Sequence, residues 1–193
     1  MKYAEHREPE PSHAAVIEIL QRLWHQKLST IALIEKWTSE TSDSEIRAGL
    51  ANQLIDERTH ARLVGEQIRR LGGRIGGRMP MDGVSRVFSD AISSRQDLFR
   101  LFALYRGVKS YTVDRCNHLM PFVDASLAQV LERLSRDDER HIRWADLRLQ
   151  RLLTYETMRE CTMRLSHIRT GLESAWDRQW RRLSFASAGR RGA

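Results

Sequence analysis

Apolar side chains recur every three or four residues along most of the chain, a spacing that predicts helices and no strand. The first predicted helix covers residues 13–38, with Leu20, Leu23, Trp24, Ile31, Ile34 and Trp37 on one stripe and Lys27 set into it. A Thr41-Ser42-Asp43-Ser44 turn follows, and Ser42 with Glu45 reads as a capping box for the next helix. That second helix, 44–71, carries Leu50, Leu54, Glu57, Ala61, Val64 and Ile68 on its stripe. A link rich in Gly, Arg and Pro spans 72–83, and a short helical piece fits 84–92. Ser94 and Asp97 read as a second capping-box start, and the third helix runs to 119 with Leu101, Leu104, Tyr105, Val108 and Thr112 inward. Pro121 ends it and Asp124 caps a fourth, whose stripe is Leu127, Leu131, Leu134, Asp138, His141, Ala145 and Leu149. A fifth amphipathic segment, 155–185, carries Leu165, Ile168, Leu172, Trp176 and Leu183.

The pattern divides the chain into a disordered arm (1–12), a helical bundle (13–152), a C-terminal helical extension (153–185) and a flexible tail (186–193). With 193 residues and 41% hydrophobic content, one domain with a real core is expected. No apolar run reaches the length of a membrane span, and the charged start with Pro9 and Pro11 lacks the apolar core of a signal peptide. The expectation is a cytoplasmic protein with no membrane partner. Cys116 and Cys161 have no CxxC spacing, so they read as buried small side chains rather than zinc ligands or a disulfide framework. The +7 charge raises the question of an acidic partner. Candidates for nucleic-acid contact are Arg69, Arg70, Arg74 and Arg78 near the link, and Arg178, Arg181, Arg182, Arg190 and Arg191 near the end. Trp176 and Trp180 among them can stack on bases or anchor the last helix to the bundle.

The chain repeats itself. A shift of 81 residues aligns the two halves without a gap: Leu20 falls on Leu101, Leu23 on Leu104, Asp43 on Asp124, Leu50 on Leu131 and His60 on His141. Each half is a helical hairpin, and two hairpins joined by a long crossover make a four-helix bundle. At the centre of the repeats lie Asp56-Glu57 with His60, and Asp137-Asp138 with His141. A spacing of three puts each carboxylate and histidine on one helix face, here the inward one. Such groups are costly to bury alone but can share a metal across a core.

Two carboxylate-x-x-His pairs in register within an internal repeat resemble the ferritin-like superfamily, in particular its rubrerythrin-like and small di-iron carboxylate branch. The resemblance covers residues 13–152. It implies an all-α, ferritin-like antiparallel four-helix bundle, with Glu57, His60, Asp138 and His141 as metal ligands and oxygen- or peroxide-linked redox chemistry. It also implies one further carboxylate on each of the first and third helices. Equal distances from the turns, centred near Ser42 and Val123, set Glu57 opposite Lys27 and Asp138 opposite Val108. Neither is an acid.

Two charge models follow. In one, a single Fe, Mn or Zn ion sits among Glu57, His60, Asp138 and His141. In the other, the site holds no metal and Lys27 bridges Glu57 and Asp138. The corresponding functions are a ferritin-like oxidoreductase, a metal-free structural or interaction protein that forms a homodimer, and a basic nucleic-acid-binding or RNA-modifying bundle. Tyr105 and Trp24 lie one turn from the absent acids, as core aromatics or as the wall of a pocket. His25 is off the inward stripe and reads as a surface or interface residue.

Overall fold

The computed structural model describes residues 11–76, 90, 93, 94, 96–155, 157–159, 161–163, 166 and 170. All regular structure among them is helical. The arm before residue 11, the piece at 84–89, most of the C-terminal extension and the tail lie outside these residues.

Helix α1 (His13–Glu40) begins where the Ser12 hydroxyl accepts from the Ala15 N–H. A three-residue turn leads to α2 (Ser44–Arg70). Its cap is Asp43 rather than Ser42: the Asp43 carboxylate accepts from the Glu45 and Ile46 N–H groups. A carboxylate there also suits the positive end of the helix dipole. After the crossover come α3 (Asp97–Leu101), a π-helical stretch (Phe102–Lys109) and α4 (Ser110–Leu119). Leu101 and Ser110 both have right-handed helical dihedrals, so the three pieces form one continuous rod. The Ser94–Asp97 capping box does not form. Asp97 instead accepts from Trp37 Nε1 and Thr41 Oγ1, at 2.6 Å each, which ties the start of this rod to the end of α1. A 3-10 turn (Met120–Phe122) precedes α5 (Ala125–Leu152), capped by Asp124 as the sequence predicts. Described residues between 155 and 170 are helical, and Cys161 is buried against the bundle.

Apolar packing forms two clusters, one at each end of the bundle. The first joins Leu33, Ile34 and Trp37 of α1 with Ile46, Leu50, Leu104, Tyr105, Ala145 and Leu149. The second joins Ile19, Leu20 and Leu23 with Val64, Ile68, Cys116, Leu119, Leu131 and Leu134. All seven inward positions predicted on the fourth helix are buried. On α1 the predicted stripe is buried at Leu20, Leu23, Lys27, Ile34 and Trp37, but Ile31 is only partly buried and Thr30 and Leu33 face the core in its place. Between the clusters each helix crosses a layer of polar residues, and that layer holds the site.

Candidate functional site

Four helices deliver four charges to one depth. α1 supplies Lys27, α2 Glu57, the third rod Lys109 and α5 Asp138, and none is more than 1–2% exposed. Lys27 Nζ lies 2.7 Å from Asp138 Oδ2 and 3.3 Å from Glu57 Oε2. Lys109 Nζ donates to Glu57 Oε1 and Asp138 Oδ1, and lies 3.2 Å from His141 Nδ1. The carboxylates and ammoniums cancel, two against two, in a layer closed above and below by hydrocarbon.

Lys109 is the residue that sequence reasoning missed. Position 108 was the expected partner of Asp138, but Val108 packs with Leu101, Leu104 and Tyr105 in an apolar cluster. The cause is the π-helix. Its i→i+5 turns take in one residue more than an α-helix. Across Phe102–Lys109 the repeat therefore slips from 81 to 82 residues, so that Lys27 corresponds to Lys109 and Thr30 to Thr112. The two threonines make the same bond, donating to the carbonyls of Gln26 and Val108. A shorter connection before Asp124 restores the 81-residue offset. The signal was present in the sequence: Lys-x-x-Thr occurs at 27–30 and again at 109–112.

The histidines flank the charges and are oriented across the bundle. His60 Nε2 lies 3.0 Å from Asp137 Oδ2, and His141 Nε2 lies 2.9 Å from Asp56 Oδ2. Each acid thus holds the histidine of the other repeat. With a carboxylate on Nε2, that nitrogen carries the proton and Nδ1 keeps its lone pair toward the core. Arg140 spans the rim, pairing with both Asp56 and Asp137 at 2.9 Å.

Burial opposes every charge in the layer, and the partners decide the outcome. For Lys27, burial disfavours the ammonium, but Asp138 and Glu57 outweigh it and raise its pKa above the ordinary lysine value. For Asp138, burial disfavours the carboxylate, but Lys109 and Lys27 hold its pKa well below the usual range. Glu57 is lowered by the same two lysines against the same penalty. His60 is lowered, first by burial and then by Lys27, so the neutral imidazole is favoured. Burial pushes the Cys116 thiol up to about 12. Beside the layer, the Tyr105 hydroxyl donates to Gln53 Oε1 at 2.7 Å, and its ring packs on Trp144. Tyr105 is wholly buried and Trp24 partly so. His25 is half-buried.

Glu57, Asp138 and His141 bring three ligand atoms within 4.8 Å of one another, close enough to share a metal ion. The ammonium of Lys109 touches all three. A two-metal centre does not fit the residues present. It would set two divalent ions beside two buried ammoniums, with only two carboxylates to neutralise them. No protein-family model matches the chain, and neither does any curated protein or solved structure.

Proposed function

We propose that the chain is a ferritin-like bundle that works without a metal, as a structural or interaction protein whose central layer is a salt-bridge network. One observation supports this above the others: Lys109 Nζ satisfies its three N–H groups on the same three atoms that would bind an ion. A lysine fixed there by two carboxylates competes with a metal from inside the protein, as an intramolecular partner. Lys27, with its pKa raised, holds the opposite face of the same carboxylates.

A one-metal oxidoreductase uses the same donors and requires Lys109 to leave them. Metal stoichiometry separates the two readings. Purified protein is incubated with Fe2+, Mn2+ or Zn2+, desalted and analysed by plasma mass spectrometry. The metal-free reading expects no retained ion. One ion per chain that is lost in His141→Ala overturns it. The nucleic-acid reading gains no support among the described residues. Of its candidates, Arg70 pairs with Asp124 at 2.8 Å, while Arg78, Arg178, Arg181, Arg182, Arg190, Arg191, Trp176 and Trp180 lie outside the described residues.

A further inference from the structure

Lys109 Nζ donates to Asp138 Oδ1, Glu57 Oε1 and His141 Nδ1. On its far side the His141 ring is held by Asp56, with Nε2 2.9 Å from Oδ2. An amine, an imidazole within hydrogen-bond reach of it and an acid orienting that imidazole make the arrangement of an activated nucleophile. The group facing this nucleophile is a carboxyl. Asp138 turns Oδ1 to Lys109 and Oδ2 to Lys27, whose Nζ lies 2.7 Å away. A cation on that second oxygen stabilises the negative charge that gathers there when the carboxyl carbon is attacked.

We propose that the side chains of Lys109 and Asp138 condense to an amide, a covalent tie between the π-helical stretch and α5. This rests on the metal-free reading, because an ion on the same donors would hold the lysine away. The ionic layer is the state before this step, and the linked chain accumulates from it after folding.

The step balances within the layer. One Nζ proton passes along its hydrogen bond to Asp138 Oδ1, which turns ammonium and carboxylate into amine and carboxylic acid. The lone pair left on Nζ lies on that same line, toward the Asp138 carboxyl. Nζ adds to Cγ, and negative charge collects on Oδ2 beside Lys27. His141 Nδ1 takes a second proton from the nitrogen and delivers it to Oδ1, 3.6 Å away. The Cγ–Oδ1 bond breaks, water leaves and the Cγ=Oδ2 bond re-forms. Of the three ammonium protons, two leave in the water and one stays on the amide, where it can donate to Glu57 Oε1. Lys27 and Glu57, 3.3 Å apart, remain as one ion pair, so the layer stays neutral with two fewer buried charges.

In solution the solvent drives such an amide back toward its acid and amine. Here the Lys109 and Asp138 side chains are 2% and 0% exposed, between two hydrocarbon clusters, and excluding water removes that drive. Groups held in contact by a fold also react at effective molarities of about 10⁵–10⁸ M.

The test is the mass of the purified full-length protein, followed over several days at 37 °C, folded and in urea. The folded chain should become lighter than its sequence by one water, and the urea sample should not. Trypsin should then release residues 107–115, uncut after Lys109, joined to residues 137–140, and fragmentation should place the link on Lys109 and Asp138. Lys109→Arg should keep its full mass, and His141→Gln should slow the loss by about 100-fold. An unchanged rate in His141→Gln overturns the assigned base. An unchanged mass in the folded protein overturns the proposal, and so does a link through Lys27 or Glu57. Water lost within residues 137–140 alone is a cyclised aspartate and overturns it too. All of these leave the metal-free reading standing, whereas one metal ion retained per unaltered chain overturns both.

Discussion

The sharpest consequence of the four-charge layer is the cost of removing one charge. Lys109→Met keeps most of the side-chain volume and deletes the ammonium. Glu57 and Asp138 are then left with Lys27 alone, so one buried carboxylate is uncompensated. Breaking a buried pair in this way costs about 3–5 kcal/mol. For a chain of this size, about 2–4 °C of melting temperature accompanies each kcal/mol, so the midpoint falls by roughly 6–20 °C. Both should be visible in urea and thermal unfolding followed by circular dichroism.

The pH dependence identifies the cause. In the unaltered protein the folded pKa values of Glu57 and Asp138 lie below their ordinary values. Their stabilisation is present above the unfolded carboxyl pKa, about 4, and is lost as pH falls through the depressed folded values. In Lys109→Met the excess carboxylate is pushed the other way, because burial is no longer offset. It takes up a proton as the pH is lowered, so the stability gap to the unaltered protein narrows from pH 7 to pH 5. Adding Glu57→Gln removes the matching negative charge and leaves Lys27 paired with Asp138, so much of the loss should return. A change within about 0.5 kcal/mol for Lys109→Met at pH 7, typical of a surface site, would refute the reasoning. So would a penalty of equal size at both pH values.

The other consequences are more local. The His60 pKa is lowered on folding, so its contribution is present above about pH 6.5 and is lost as pH falls toward the folded value. His60→Gln should flatten the stability profile between pH 5 and 7, and an unchanged slope would assign that slope to other groups. Gly49 lies under Trp144: a Cβ there would come within 2.2 Å of Trp144 Cζ2. Gly49→Ala should cost about 1–3 kcal/mol by overpacking and shift the tryptophan emission, and unchanged stability and emission would refute the close packing. Cys116, buried and with its pKa pushed up to about 12, should resist a thiol reagent at pH 8 until the chain unfolds, so labelling at the rate of a free thiol would contradict its burial. Replacing all four charges by Met and Leu should leave the melting midpoint unchanged or raised. The same variant should lose dispersion in its NMR spectrum, and a fully native spectrum would deny the layer any role in specificity.

Much of the layer could be read before the structure. Leu127 through Leu149 and the Glu57, His60, Asp138 and His141 set follow from helical period and repeat alone, because those helices are regular. Lys27 was placed opposite Glu57 for the same reason. Lys109 was not, because one residue inserted by the π-helix and a connection one residue shorter cancel over the hairpin and leave the gapless repeat intact. A helix of constant period is the wrong ruler for a rod with eight π-helical residues. Asp56 and Asp137 stood in the repeat as neighbours of the central acids. Their hold on His141 and His60 depends on how α2 and α5 face each other, and the spacing within one helix does not encode that.

The balance of two lysines against two acids has a structural consequence of its own. Hydrocarbon at either end of the bundle constrains depth weakly, since Leu and Ile tolerate sliding along one another. The charged layer does not tolerate it. Each of the four long helical rods contributes one charge, so moving any one by a turn, about 5.4 Å, withdraws an ion and leaves its two partners sharing a single counter-charge. That leaves a buried charge unpaired, at several kcal/mol. Compared with hydrocarbon of equal volume the network adds little stability, yet it penalises every neighbouring register. Conformational specificity of this kind requires fixed charges. An exchangeable metal would make the register depend on supply, whereas Lys27 and Lys109 are present whenever the chain is.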